Sequence, residues 1–249
     1  MKGVLAGLAP GVQVIDLSHG IAPQNIEQAA FFLQGSPRHF PEGAIFICVV
    51  DPGVGSERKI ILVRHEGRFF LAPDNGLLPA AFSGPPSFKP ELCLDVSPGS
   101  NEQANASSTF HGRDIFAPIA ARLSRGNTPS APGLPIPWTG LQRLSLPGPS
   151  HADGIISARI LHVDRFGNCI CNLDILGWSE PLAAPSQLRQ ETQATTYMLE
   201  QANSYSQLDN FEVGIIPGSQ QYFELAVNSG SAAQMLDLTP GQTIRIHLE

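Results

Sequence analysis

Six consecutive apolar residues, Ile45-Phe46-Ile47-Cys48-Val49-Val50, stop abruptly at Asp51-Pro52-Gly53-Val54-Gly55. A run this rich in β-branched side chains, closed at once by Pro and Gly, reads as a strand covered on both faces. Such strands belong to α/β sheets, whose ligands bind beyond the strands' carboxyl ends, where Asp51 stands. Gly53 and Gly55 allow the loop backbone to come close to a ligand, and Arg58 lies near enough along the chain to fold back onto Asp51. An acid and a base on one tight loop are the first functional candidates, against the plainer reading of a surface ion pair.

A chain of 249 residues can bury one large core or two modest ones, and the change of pattern described below favours two. Only 15% of residues are charged and 42% are hydrophobic, which describes a globular protein. The formal charge of −7 argues against nucleic acid as a partner and suits a neutral or cationic small ligand. No apolar run approaches a membrane span, and residues 1–10 are too short in their apolar core for a signal peptide. Cys48, Cys93, Cys169 and Cys171 fall mostly in apolar, strand-like segments, which fits reduced thiols and a cytoplasmic location.

Along the first half, residues 2–8 read as helix, 12–17 as strand, and Asn25 as the cap of a helix ending near Gly35. Residues 60–63 and 69–72 read as a strand pair across Glu66-Gly67-Arg68, residues 92–96 as a further strand, and 115–123 as a helix stopped by Gly126. Strands alternating with helices predict an α/β domain over residues 1–126 with a mostly parallel sheet. Residues 127–152 are rich in Pro and Gly and read as a linker. Residues 153–249 carry short strand candidates at 154–164, 168–173, 194–199, 211–216, 222–227 and 243–248, with one helix at 231–236. They predict a smaller all-β, barrel-like domain.

Beyond Asp51 and Arg58, the residues able to carry chemistry are few. His111 precedes a helix start, where a capping or packing role competes with acid–base work. Asp164-Arg165-Phe166-Gly167-Asn168 has the form of a turn; in a ligand role Phe166 would stack on a flat ring and Asn168 would read its edge. Glu224 alternates with apolar neighbours, so it either faces solvent or balances a cationic ligand. No nucleophile elbow, HExxH helix or Walker loop is present, and the His residues lack zinc spacing.

Taken together, four motifs resemble the S-adenosyl-L-methionine (SAM) hydroxide adenosyltransferases in order and spacing. They are Val49-Val50-Asp51-Pro52-Gly53-Val54-Gly55 with Arg58, Ala72-Pro73-Asp74-Asn75-Gly76-Leu77-Leu78, Thr109-Phe110-His111-Gly112-Arg113-Asp114, and Asp164-Arg165-Phe166-Gly167-Asn168. This family of SAM hydrolases, once known only as a domain of unknown function, is related to the fluorinases and chlorinases. The resemblance implies hydrolysis of SAM to adenosine and L-methionine, with SAM as substrate and with neither metal nor cofactor. It also implies a homotrimer that holds ligand between one subunit's N-terminal domain and its neighbour's C-terminal domain. By position, Asp51, Arg58 and His111 match the water-activating triad. Asp164, Phe166 and Asn168 match the contacts to adenine and methionine, and Ser219, Glu224 and Val227 match further ligand contacts. A SAM-dependent halogenase and a non-catalytic SAM or adenosine binder are the alternatives. Family members usually carry a first strand and a ribose-gripping Thr-Asp-Phe-Gly loop ahead of the Met1-Lys2-Gly3 segment. Their absence from this sequence sets the expectation of either an upstream start or a missing ribose clamp.

Overall fold

The computed structural model describes residues 1–82, 88–99, 106–126, 133–183, 187–191 and 196–249. The chain forms two compact units, Met1–Ser145 and Leu146–Glu249.

In the first unit the helices are α1 (Lys2–Leu8), α2 (Ile26–Gly35), α3 (Leu77–Ala81) and α4 (Ala117–Ser124). The strands are β1 (Ile45–Ile47), β2 (Ile60–His65), β3 (Arg68–Pro73), β4 (Leu92–Asp95) and β5 (Leu134–Pro135), ordered β1-β3-β2-β4-β5. Of their pairings only β1 with β3 is parallel; β2 with β3, β2 with β4 and β4 with β5 are antiparallel. The mostly parallel sheet read from the sequence is therefore overturned. The reason is local: Glu66 and Gly67 both adopt positive φ, 47° and 69°, the geometry of a two-residue hairpin that folds β3 straight back on β2. No helix intervenes to carry the chain across the sheet.

The run from Ile45 to Val50 is also less covered than its composition suggests. Only Ile45–Ile47 is strand, with β3 as its sole neighbour among the described strands. Phe46 alone of the three is buried, stacked on Phe70 with ring centroids 5.1 Å apart. Residues 12–17 form no strand; Val12, Val14, Ile15 and Leu17 are 42% to 55% exposed, because no described strand pairs with them. The sheet still separates two apolar layers. Ile61, Val63, Phe70 and Ala72 pack on α2 and α3, while Ile60, Leu62 and Leu71 pack on Ile115, Phe116 and Ile119. Each fully buried Leu or Ile side chain contributes roughly 1.5–3 kcal/mol, so this two-sided burial holds the loops at the sheet's end in place.

The second unit contains β6 (Ser150–Ala152), β7 (Ile155–Val163), β8 (Cys169–Asp174), β9 (Leu188–Glu191), β10 (Thr196–Gln201), β11 (Val213–Pro217), β12 (Tyr222–Val227) and β13 (Thr243–Leu248). The order β13-β9-β10-β11-β12-β8-β7 returns to β13 through a β13–β7 pairing, so seven strands close a barrel and β6 extends from β7. β10 with β11 is its parallel pair. Helix α5 (Ile175–Ala183) corrects the all-β expectation, while α6 (Ala232–Met235) is the one helix expected at 231–236. The candidate strand at 194–199 is found from Thr196; residues 194 and 195 lie outside the described residues. Alternate residues point inward, Phe223, Leu225 and Val227 from β12 and Cys169, Cys171 and Leu173 from β8, and fill the barrel interior.

Candidate functional site

Asp51 lies four residues beyond β1, in a loop fixed by its own backbone. Val54 N–H donates to the Asp51 carbonyl at 3.3 Å, and Ser56 donates to the Gly53 carbonyl through both its N–H and its hydroxyl. Gly55 has φ +83°, and a Cβ there would sit 2.6 Å from the Ser108 carbonyl oxygen. Only glycine lets this loop pack so closely on the segment that leads into His111. The Asn75 side-chain amide donates to the Val50 carbonyl at 2.9 Å, tying the strand end to the start of α3.

On this frame Arg58 reaches back to Asp51 with both arms of its guanidinium. Nε donates to Oδ1 at 2.7 Å, and Nη2 donates to Oδ2. The pair is nearly dry, with 4% of the Asp51 side chain and 8% of the Arg58 side chain exposed. Nη2 also lies 3.1 Å from His111 Nδ1. A guanidinium can only donate, so Nδ1 accepts and the ring proton resides on Nε2. Burial, and then the charge of Arg58, hold the His111 pKa below the ordinary imidazole value. His111 opens a π-helical turn, Gly112–Phe116, that runs into α4; such turns are frequent at functional sites. Asp114 anchors that turn by accepting from the Ser107 N–H at 2.9 Å. Its pairing with Arg113 pulls its pKa down to about 2. A polar recess of about 500 Å³ adjoins, lined by Arg58 with Glu57, Lys59, Asp74, Asn75 and Arg143 among others.

The second unit gathers its own cluster. The Asp164 carboxylate folds the β7–β8 turn around itself, accepting from Phe166 N–H at 2.8 Å and Asn168 N–H at 2.9 Å on Oδ1, and from Asn168 Nδ2 at 3.0 Å on Oδ2. Gly167, at φ +87°, closes the turn against Ser231. Phe166 is 63% exposed with the Arg165 guanidinium over its ring, a free aromatic face beside the buried Asn168. Glu224 is buried on β12, and that burial raises its pKa. Val227 is buried in the barrel core, so its backbone is what it can offer a ligand. Ser219 stands exposed in the turn between β11 and β12.

The structure thus brings Asp51, Arg58 and His111 together in one unit, and Asp164, Asn168 and Glu224 together in the other. The link in the second cluster is Tyr205, whose hydroxyl donates to Glu224 Oε1 and accepts from Asn168 Nδ2 at 3.4 Å. No motif marks Tyr205 in the sequence. Among the described residues no group of three or more His, Cys, Asp and Glu side chains could hold a metal ion, and no helix is long and apolar enough to cross a membrane.

Similarity to known proteins extends along nearly the whole chain. Residues 1–133 match the SAM hydroxide adenosyltransferase N-terminal domain, and residues 158–245 match the C-terminal domain of the same name. A protein of Thermus thermophilus named (R)-S-adenosyl-L-methionine hydrolase is 35% identical over 99% of this chain and 92% of its own. One of Salinispora tropica with the same name is 35% identical over 98% and 90%. A fluorinase of an Actinoplanes species is more distant, 25% identical over 98% and 91%. Among solved structures, an uncharacterized conserved protein from Thermotoga maritima superposes with a TM-score of 0.85 at 29% identity, covering 99% of this chain and 93% of that one.

Proposed function

The chain belongs to the SAM hydroxide adenosyltransferase family, and from that membership we propose that it hydrolyses S-adenosyl-L-methionine to adenosine and L-methionine. The observation that carries the reading is the dry Asp51–Arg58–His111 constellation at a strand end, in a chain 35% identical to proteins named as SAM hydrolases. A water oxygen attacks the ribose C5′, the C5′–S bond breaks, and its electron pair returns to sulfur, which leaves as the neutral thioether of methionine. One proton is released from the water. The leaving group needs no acid, so the task is to place and activate a weak nucleophile. Asp51 is held by two donors from Arg58, which fixes the carboxylate to orient the water; the same carboxylate is proposed to accept the released proton. His111, neutral with its proton on Nε2, supplies a second hydrogen-bonding group to the same water.

In the second unit, Asn168 and the free face of Phe166 are suited to the edge and face of adenine, and Asp164, Ser219 and the Val227 backbone to the remaining contacts. The chain is further proposed to assemble as a homotrimer, in which the triad of one subunit and the Asn168 cluster of its neighbour share one substrate. The reaction is proposed to need no metal and to run in the cytoplasm, in keeping with four free cysteines. Incubation with SAM in H₂¹⁸O tests the reaction: adenosine carrying ¹⁸O at its 5′ oxygen is expected, with equimolar methionine and with rates indifferent to chelator. Formation of 5′-halo-adenosine in chloride or fluoride, or no methionine release at all, overturns it. Sedimentation analysis with and without SAM tests the trimer.

A further inference from the structure

Tyr205 sits on a short 3₁₀ turn, Tyr205–Gln207, that is pinned from behind. Leu208 is buried against Gly214, where a Cβ would lie 2.4 Å from its Cδ2, and the Leu208 carbonyl accepts from Asn228 Nδ2 at 2.7 Å. The turn that carries the phenol is therefore anchored, while Tyr205 itself is 45% exposed. Its single proton is committed to Glu224 Oε1, which leaves a phenol lone pair facing Asn168. Asp164 accepts the other Asn168 amide hydrogen at 3.0 Å. Both N–H groups of the Asn168 amide are thus used inside the protein, and its Oδ1 takes no partner among the described residues. A carboxylate accepts only, so neither neighbour tolerates the flipped amide.

We infer that Tyr205, anchored by Glu224, is a positioning residue that acts with Asp164 to fix the Asn168 amide, so that Asn168 presents a lone acceptor and selects a purine bearing an exocyclic amino group over its 6-oxo counterpart. This rests on the reading above that Asn168 meets the base. It also gives one Glu224 carboxylate oxygen, Oε1, the task of anchoring the phenol. A 6-oxopurine would set its carbonyl oxygen against Oδ1, acceptor against acceptor, and leave both oxygens unpaired on binding.

Titration calorimetry with adenosine and inosine tests the inference without relying on turnover. The wild-type chain is expected to prefer adenosine by about 100-fold or more, and Asn168→Ala to abolish the preference. Tyr205→Phe removes the longer of the two anchors, so the adenosine-to-inosine ratio is expected to fall by roughly 3–10-fold, the worth of one hydrogen bond. Glu224→Gln provides a second variant should Tyr205→Phe fail to fold. Its amide can donate to the phenol oxygen and turn the O–H toward Asn168, narrowing the ratio in the same direction. Equal weakening of both nucleosides with the ratio intact, or a wild-type chain that binds inosine as well as adenosine, overturns the assignment. A chain that selects adenosine through Tyr205 yet releases no methionine from SAM would lose the hydrolase reading and keep this one. An active hydrolase whose selectivity survives both variants would keep the first and lose the second.

Discussion

Arg58→Met is the substitution that most directly tests whether the buried ion pair organises the first unit. Asp51 has 4% of its side chain exposed and accepts two hydrogen bonds from Arg58, so removing the guanidinium strands a desolvated carboxylate. Breaking a buried pair by deleting one partner costs about 3–5 kcal/mol. For a unit of this size each kcal/mol lowers the midpoint by roughly 2–4 °C, so the N-terminal transition should fall by roughly 6–20 °C. Asp51→Asn leaves Arg58 charged beside a polar recess of about 500 Å³, where solvent can reach it, and should cost about 1–3 kcal/mol. The double variant Asp51→Asn/Arg58→Met removes both charges and should melt well above the sum of the single losses, with a coupling energy of about 2 kcal/mol. All three variants should lose at least ~100-fold in adenosine release, measured chromatographically, because positioning and proton transfer fail together. Recovered stability without recovered turnover would separate the pair's two roles. Strict additivity of the melting shifts, or an Arg58→Met melt within about 2 °C of wild type, would refute the reasoning.

The remaining predictions follow from single residues. Gly167→Ala places a Cβ 2.0 Å from Ser231 Oγ at φ +87°; a loss of at least ~2 kcal/mol in chemical denaturation is expected, and a neutral result would mean the turn is not built as described. His111 has its pKa held below the ordinary ~6.5 by burial and by Arg58. The unfolded chain therefore protonates first, stability is lost as pH falls from about 6.5 through the lower folded value, and the acid limb of activity lies below 6.5. A His111 ring resonance titrating at 6.5 or above contradicts this. Burial pushes the Cys48 and Cys169 thiols up to about 12 and Cys93 to about 11, so thiol reagents at pH 8 should label the native chain far more slowly than the denatured one. Ser231→Ala removes the cap that accepts from Gln234 N–H at 3.2 Å and should cost about 1 kcal/mol in thermal unfolding.

What the sequence discloses here is what is local. The Glu66-Gly67 turn, the Asn25 cap and the Gly167 turn are each settled within about four residues, and each is where its residue types place it. Pairing partners are not local. Residues 12–17 have the composition of a strand but remain unpaired and exposed, because a strand is stable only against a neighbour. Residues 45–50 look doubly covered, yet with β3 on one side alone the ladder ends after Ile47. Barrel closure likewise depends on β13 meeting β7, some ninety positions apart, which no window along the sequence can reveal.

Glu224 shows why the second half of the candidate site was partly hidden. Its alternation with Phe223 and Leu225, which face the barrel core, puts it on the outer side of β12. An outer position on a barrel strand implies solvent, and from the strand alone that is the sound conclusion. The burial comes from elsewhere in the chain: Leu208 packs on Ile216 and Ala226, neighbours of Glu224 on that outer surface, and carries the Tyr205 turn over the carboxylate. A polar stretch of Asn, Ser, Tyr and Gln at residues 203–207 carries no apolar periodicity to betray that packing. One buried leucine converts an apparent loop into a lid on the strand, and the resulting phenol–carboxylate contact is what gives the Asn168 amide a fixed direction. Leu208→Ala should therefore reproduce the narrowed adenosine-to-inosine ratio of Tyr205→Phe while leaving the phenol in the sequence. If it destabilises the second unit yet leaves that ratio untouched, the turn is only packing and the direction of the amide is set by Asp164 alone.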